Sequence, residues 1–419
     1  MPWEEACVME ERLKFVLAFG RGEASMSELC RLFAISRKTG YKWHGRYEAG
    51  GVGGLNDRSR APVNCPHRMG PEAEAAVLGL RHEHPTWGPR KLRARLAALA
   101  PDLPWPAPST IGALLERQGL VHRRRLRRRT PPHSAPFAHC HGANDVWCAD
   151  FKGWFRTGDG ARCEPFTLSD AASRYLLRVQ AVRRHDVDHV WPLFDAAFRE
   201  YGLPKALRSD NGPPPDRVRG RLFASTGAGG LSPLAVRLVK AGVAPERIEP
   251  GRPDQNGRHE RMHLTLSQDT ASPPAATLAG QARRFERFRK SYNEERPHEA
   301  LGLVPPASLY RPSARTWSGR LRSPDYAGDL EVRRVRHCGE IRWCGTRVYI
   351  SETLAGEPVG LAETGGGLWT VMFGPVLLGT LDAAGVFRQP VRRKRHKQGC
   401  GYVDNANALP TSPQPQQRQ

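Results

Sequence analysis

The sequence predicts a multidomain chain: all-α helix-turn-helix units at the N-terminus, a central mixed α/β layer core and a small C-terminal β-barrel. Three observations point there. Apolar residues recur at helical spacing in the first third of the chain. Strand-like and helical runs are interleaved from Asn144 onward. After Pro312 the pattern becomes short strands punctuated by glycine. A chain of 419 residues has room for roughly two to four domains.

The N-terminal elements follow in order. Leu13, Val16, Leu17 and Phe19 mark an amphipathic helix over 10–20. Ser25 or Ser27 can cap a second helix over Glu28–Phe33, and Ala34-Ile35-Ser36 is a turn. The next helix carries Arg37, Lys38, Thr39 and Lys42 on one side, with Tyr41 and Trp43 expected to pack. That is the pattern of a helix-turn-helix over 8–50. Gly50–Pro66 reads as a linker. A second such domain is expected over 70–122, with helices from Pro71 to His82, from Trp87 to Leu99, and from a Ser109 or Thr110 cap to Gln118. Arg90 and Lys91 open its middle helix. A basic linker is expected over 123–143, containing Arg123, Arg124, Arg125, Arg127, Arg128 and Arg129.

The core is expected over 144–312. Strands are predicted over 146–156, 166–169, 175–182 and 205–209, and helices over 187–201, 231–241, 257–267 and 277–293. The barrel is expected over 326–390, from six short strands between Glu331 and Asp382, and a basic, disordered tail over 391–419.

The chain carries 64 Lys and Arg against 42 Asp and Glu, a net charge of +22. Residues 1–140 hold +10 of this, 141–312 hold +6 and 313–419 hold +6. Half of the excess lies in two runs, Arg123–Arg129 and Arg392–Lys397. This is the electrostatic footprint of a nucleic-acid partner. No stretch of about 18 apolar residues is present, so no membrane helix is expected. The nine cysteines are scattered and never in Cys-x-x-Cys, which argues against a disulfide scaffold and fits a cytoplasmic protein.

Three acids stand out by their settings. Asp150 follows Val146-Trp147-Cys148-Ala149 on a strand expected to be buried, Asp210 ends a short strand before Asn211-Gly212, and Glu260 lies in the first turns of a helix after Asn256-Gly257. Burying an acid is costly without a cation. Three acids on separate elements can converge on divalent metal, and oxygen ligands suit Mg²⁺ or Mn²⁺. Two such ions would serve phosphoryl transfer.

Here the residues carry a resemblance. Ala149-Asp150-Phe151, Arg208-Ser209-Asp210-Asn211-Gly212, Pro253-x-x-Asn256-Gly257-x-x-Glu260-Arg261 and Tyr292-Asn293-x-x-Arg296-Pro297-His298 together resemble the DDE integrase/transposase core. The match is most similar to IS481-type transposases, and His84-Pro85-x-Trp87-Gly88-Pro89-Arg90-Lys91-Leu92 also fits them. The resemblance spans roughly residues 10–312. It implies an RNase H-like core with Asp150, Asp210 and Glu260 as catalytic and metal-binding residues. It also implies cutting and joining of double-stranded DNA at terminal inverted repeats and target sites, by a homo-oligomer assembled on DNA. Asn211, Gly212, Asn256, Gly257 and Arg261 would support the site. The 50-residue spacing from Asp210 to Glu260 departs from the family pattern, and Pro213–Leu222 looks like an added loop.

Two other readings compete. An inert core would leave a DNA-binding regulator. His259-Glu260-Arg261-Met262-His263 also matches His-Glu-x-x-His, the zinc metalloprotease motif. Arg261 and an exposed first helical turn weigh against the second. His139-Cys140-His141 lacks a second Cys/His pair at zinc spacing and reads as a loop. On the Glu260 helix, Leu264 is expected to pack inward and hold Glu260 toward the metals.

Overall fold

A computed structural model describes residues 7–58, 69–121, 137, 140–182, 186–209, 231–248, 257–326 and 328–389. The chain divides into two compact units, with the boundary between Gly70 and Pro71.

The first unit holds α1 (Val8–Gly20), α2 (Met26–Leu32) and α3 (Arg37–Gly50). Ser25 begins α2 with a reciprocal cap: its hydroxyl accepts from the Glu28 N–H and its own N–H donates to the Glu28 carboxylate. Ala34 turns the chain at φ 50°, and the Ser36 hydroxyl caps α3. Phe15, Val16, Met26, Leu29, Cys30 and Trp43 form the core. At Gly40, buried on α3, an added Cβ would lie 2.8 Å from Cys30 Sγ, Met26 Sδ and Phe15 Cζ, so the helices cross where only hydrogen fits.

Two expectations fail in this unit. Gly51–Leu55 is a 3₁₀ turn rather than linker, because Leu55 is fully buried and its carbonyl accepts from Arg12 at 2.8 Å. One buried leucine outweighs the poor propensity of the glycines around it. Tyr41 does not pack; it is exposed, and Trp43 alone fills the core.

The second unit opens with α4 (Pro71–Glu83), α5 (Pro89–Leu99) and α6 (Pro108–Arg117), packed through Val77, Trp87, Leu92, Ile111 and Leu114. Proline occupies the first turn of both α5 and α6, where its missing N–H costs nothing. Ser109 therefore lies inside α6 and does not cap it.

A five-stranded sheet follows: β1 (Val146–Phe151), β4 (Pro165–Asp170), β5 (Leu176–Ala181), β6 (Ala206–Ser209) and β7 (Ala244–Arg247). A small hairpin, β2 (Phe155–Arg156) with β3 (Arg162–Cys163), projects between β1 and β4. The single strand expected over 146–156 is thus broken, at Gly153 with φ 88°. The sheet order is β5-β4-β1-β6-β7. β1, β4 and β5 form an antiparallel meander, while β6 and β7 run parallel to β1. β7 is not among the expected strands, since Pro245 argues against one and is tolerated only because β7 is an edge.

Alternation along the strands divides the sheet into two faces. Trp147, Ala149, Phe166 and Leu168 share one core with α7 (Val187–Tyr201) and α8 (Pro233–Lys240). Leu176 and Val179 pack with α9 (Gly257–Thr270) and α10 (Leu278–Glu294). Residues 313–317 strap the core: the Arg315 guanidinium donates to the carbonyls of Pro204 and Gly242, and the Trp317 indole N–H to Asp195 at 2.7 Å.

The C-terminal strands are β8 (Glu331–Arg334), β9 (Glu340–Trp343), β10 (Thr346–Tyr349), β11 (Pro358–Gly365), β12 (Leu368–Phe373), β13 (Val376–Asp382) and β14 (Phe387–Arg388). They do not close into the expected barrel. They form an open sheet, β14-β13-β12-β11-β8, and a separate hairpin, β9–β10. The apolar face that closure would hide is covered by Ile341, Trp343 and Val348 of the hairpin and by Ala235, Val236 and Val239 of α8. Among the described residues no helix is long and apolar enough to cross a membrane.

Candidate catalytic site

Period-2 alternation places Asp150 on the sheet face opposite Trp147 and Ala149, near the end of β1. Across the antiparallel ladder its partner is Thr167, and Cys148 faces Ser169. Two short hydroxyl side chains on β4 and one acid on β1 therefore share a patch of this face, and α9 lies on it.

The contact is made by the two histidines of the His-Glu-x-x-His segment. Thr167 Oγ1 lies 2.6 Å from His259 Nε2 and 2.7 Å from His263 Nε2, and donates to the Asp150 carbonyl oxygen at 3.1 Å. One hydroxyl has one proton, so with that proton on the carbonyl both imidazoles donate Nε2–H to the threonine oxygen. The Ser169 hydroxyl completes His259 by donating to Nδ1 at 3.2 Å. Both rings are buried and sit edge to face, 4.7 Å apart. Burial pushes the His259 pKa down to about 3. Burial first, then His259 and Lys152, push His263 down to about 2. Both stay neutral at pH 7. His263 Nδ1 is 3.9 Å from Asp150 Oδ2, which for a neutral ring is a polar contact and not an ion pair.

Asp150 is half-buried, with 16% of its side chain exposed, and one carboxylate oxygen accepts from the Phe151 N–H at 2.7 Å. Glu260 stands exposed beside the buried His259. The inward face of α9 is His259, Met262, His263 and Leu266. The expectation for Leu264 is therefore corrected: it is 44% exposed and shares the outer face with Glu260. The polar anchor of two histidines on Thr167 sets the helix rotation that hydropathy alone assigns to Leu264.

Asp150, His259 and His263 offer donor atoms that all lie within 4.8 Å of one another. As a zinc site the cluster fits poorly. Both Nε2 atoms are held by Thr167, His259 Nδ1 is held by Ser169, and Glu260 points to solvent. For a hard cation, Asp150 offers the oxygen ligand of this cluster, while Glu260 stands on the outer face of α9.

The other expected site residues are distributed as follows. Asp210, Asn211, Gly212, Asn256, the Pro213–Leu222 segment, His139 and Arg123–Arg129 lie outside the described residues. β6 ends at Ser209, paired with Ala149, one position before Asp150. Gly257 starts α9, and Arg261 is exposed. On α3, Arg37, Lys38 and Lys42 are exposed, while Thr39 is tied to the Ser36 cap. Arg90 is exposed on α5. Lys91 is half-buried, its pKa pushed down to about 8 by burial, with nearby Arg296 adding to the effect.

The Tyr292–His298 motif is structural. The Asn293 side chain clamps the Leu176 backbone with two hydrogen bonds, at 2.8 and 2.9 Å, and buried Arg296 pairs with Asp269 at 3.6 Å. Sequence reasoning misses Thr167 and Ser169. The available signal is Thr-x-Ser on a strand otherwise buried.

Parts of the chain match known families and proteins. Residues 241–306 match the family described as an integrase core domain, residues 11–62 a helix-turn-helix domain and residues 39–115 a homeodomain-like domain. The chain is 28% identical over 251 residues to the insertion element IS476 uncharacterized 39.2 kDa protein of Xanthomonas euvesicatoria, covering 59% of this chain and 67% of that protein. It is 28% identical over 239 residues to the insertion element IS407 uncharacterized 31.7 kDa protein of Burkholderia multivorans, covering 56% and 79%. The chain is thus similar to insertion-element proteins and carries a segment that matches an integrase core. Among solved structures it overlays loosely on the HTLV-2 integrase catalytic core domain in complex with magnesium, at TM-score 0.31 and 13% identity, covering 41% of this chain and 98% of that one. A BIV integrase catalytic core gives TM-score 0.30 and 17% identity, covering 40% and 93%.

Proposed function

We propose that this chain is a DNA transposase of the IS481 type, which binds the terminal inverted repeats of its element, cuts there and joins the ends to target DNA. The observation that carries this reading is that the helix bearing Glu260 is seated on the sheet face that bears Asp150. Asp150 lies near the end of β1, and Glu260 rides on the helix that His259 and His263 seat on the same sheet face. Asp210 follows Ser209, whose partner on β1 is Ala149. In this reading 8–50 and 70–122 are DNA-binding domains, 144–312 is the catalytic core, and the 326–390 sheet is an accessory domain.

Asp150, Asp210 and Glu260 would hold two Mg²⁺ or Mn²⁺ ions. When bound, these supply charge neutralisation and activation of the attacking oxygen. The rest falls to the chain's own groups. The Thr167 hydroxyl fixes the strand that presents Asp150. The neutral histidines fix the rotation of α9 and so the direction of Glu260. Arg37, Lys38, Lys42, Arg90, Lys91 and the Arg123–Arg129 run would bind phosphates and hold the duplex in register. Such catalysis is positioning and electrostatics, without a covalent protein intermediate. Joining two ends requires both in one assembly, so a homo-oligomer on DNA is expected, working in the bacterial cytoplasm.

The test is Mg²⁺-dependent nicking at the 3′ end of a terminal-repeat duplex. Intact nicking by Asp150→Asn would reject the assignment. Sequence-specific binding without cutting, in Mg²⁺ and in Mn²⁺, would favour an inert regulator instead.

A further inference from the structure

Beyond the three acids, the same region carries an aromatic side chain that the fold does not use. Trp154 lies four residues past Asp150, just before the β2–β3 hairpin, and is 54% exposed. The guanidinium of Arg162 lies 5.0 Å from its ring centroid and that of Arg156 5.8 Å. These two arginines are cross-strand partners on the hairpin. Each is held in turn, Arg156 by the Gly160 carbonyl at 2.8 Å and Arg162 by Glu164 at 3.2 Å. The ring is thus braced by two cations and still presents open surface.

A cavity of about 190 Å³ opens beside it, lined by Lys152, Trp154 and Phe155 on one side and by Leu266, Ser267 and Thr270 of α9 on the other. It is smaller than the ~300 Å³ lower bound for drug-sized ligands. Its lining combines the aromatic residues Trp154 and Phe155, the aliphatic Leu266, and Ser267 and Lys152 as polar groups, a chemistry that suits one flat ring.

The position relative to Glu260 is set by helix geometry. Ser267 is seven residues on, two turns along the same face of α9, or roughly 10 Å. That is about three base steps along a DNA strand. Aromatic stacking on a base face, with Arg charge nearby for the adjoining phosphates, is the chemistry by which proteins bind single strands without sequence preference. A base inside a duplex offers no such face, so the occupant must be unpaired.

We infer that Trp154 and this cavity form a subsite for one unpaired nucleobase of the DNA strand being processed. The subsite rests on the DNA-cutting reading above and would hold the strand frayed next to the reacting phosphate.

The test is fluorescence anisotropy with the full-length chain in EDTA. The probes are a 30-base-pair duplex with flush ends and the same duplex with a three-thymine single-stranded overhang. The expected result is tighter binding of the overhang probe by about tenfold, within the range of one stacking contact. Trp154→Ala should lose that preference and keep flush-duplex affinity, while Trp154→Phe should keep most of it. No preference in the wild type, or an undiminished preference in Trp154→Ala, overturns the subsite. Asp150→Asn separates the two ideas. It should abolish nicking in Mg²⁺ and leave the overhang preference intact. A Trp154-dependent preference in a wild type that does not nick would sink the transposase reading and leave the subsite standing.

Discussion

Asp150 on β1 stands directly across the ladder from Thr167 on β4, and the Thr167 hydroxyl reaches back to the Asp150 carbonyl oxygen at 3.1 Å while meeting two imidazoles. One side chain thereby ties together the strand of one candidate catalytic acid and the helix of another. Thr167→Val keeps the shape and removes the hydroxyl, leaving two buried Nε2–H groups without their acceptor. A loss of about 2–4 kcal/mol is expected in thermal or urea unfolding, with nicking abolished as α9 loosens. Thr167→Ser should recover most of both. Unchanged stability in Thr167→Val would show that the network carries no energy.

Glu260 makes the opposite forecast. It is exposed, so Glu260→Gln should leave the melting temperature within about 1–2 °C of wild type. Nicking should fall by at least about a thousandfold if the acid holds metal. A variant that loses activity and stability together would assign Glu260 a structural role instead.

Stability should also depend on pH through His298. Burial, then Arg296, Lys91 and Arg174, push its pKa from 6.5 down to about 3. The unfolded chain takes up a proton below about pH 6.5 that the folded chain refuses until about pH 3. Stability is therefore unaffected above pH 6.5 and declines as pH falls through that window. His298→Gln should flatten the fall between pH 6 and pH 4 by up to about 1.4 kcal/mol per pH unit. The remaining slope comes from groups such as His259 and His263. A slope identical to wild type would mean that the ring is charged in the fold.

In the first unit, Gly40→Ala forces a methyl group to within 2.8 Å of three core atoms. Overpacking of this kind should cost about 1–3 kcal/mol. Replacing exposed Arg37, Lys38 and Lys42 with alanine should leave folding alone. It should weaken DNA binding across all sequences and reduce the salt slope by up to about one unit for every phosphate that is no longer neutralised. An unchanged salt slope would place α3 away from DNA.

The sequence makes the central sheet legible because its strands alternate and its acids sit at strand ends and helix starts. It makes α1 to α3 legible because apolar residues recur at helical spacing, Ser25 is one of two cap candidates and Ala34-Ile35-Ser36 reads as a turn. It hides β7, where Pro245 masks an edge strand. It misleads about the rotation of α9, because hydropathy ranks Leu264 above histidine. Which residue points inward is decided by Thr167, about ninety residues away in sequence, and no local pattern encodes that partner. The expected barrel fails for a similar reason: strand periodicity reports an apolar face but not what covers it.

Together with the β9–β10 hairpin, what covers that face is α8. Leu234 and Leu238 enter the core under the central sheet, while Ala235, Val236 and Val239 enter the C-terminal one. The helix has no apolar residue to spare for solvent, and Lys240 and Glu357 pin the junction at 2.5 Å. The C-terminal sheet therefore cannot be treated as a detachable appendage. A chain cut after residue 312 would strip one side of α8 and leave it greasy, so a truncated core should aggregate where the longer chain stays monodisperse.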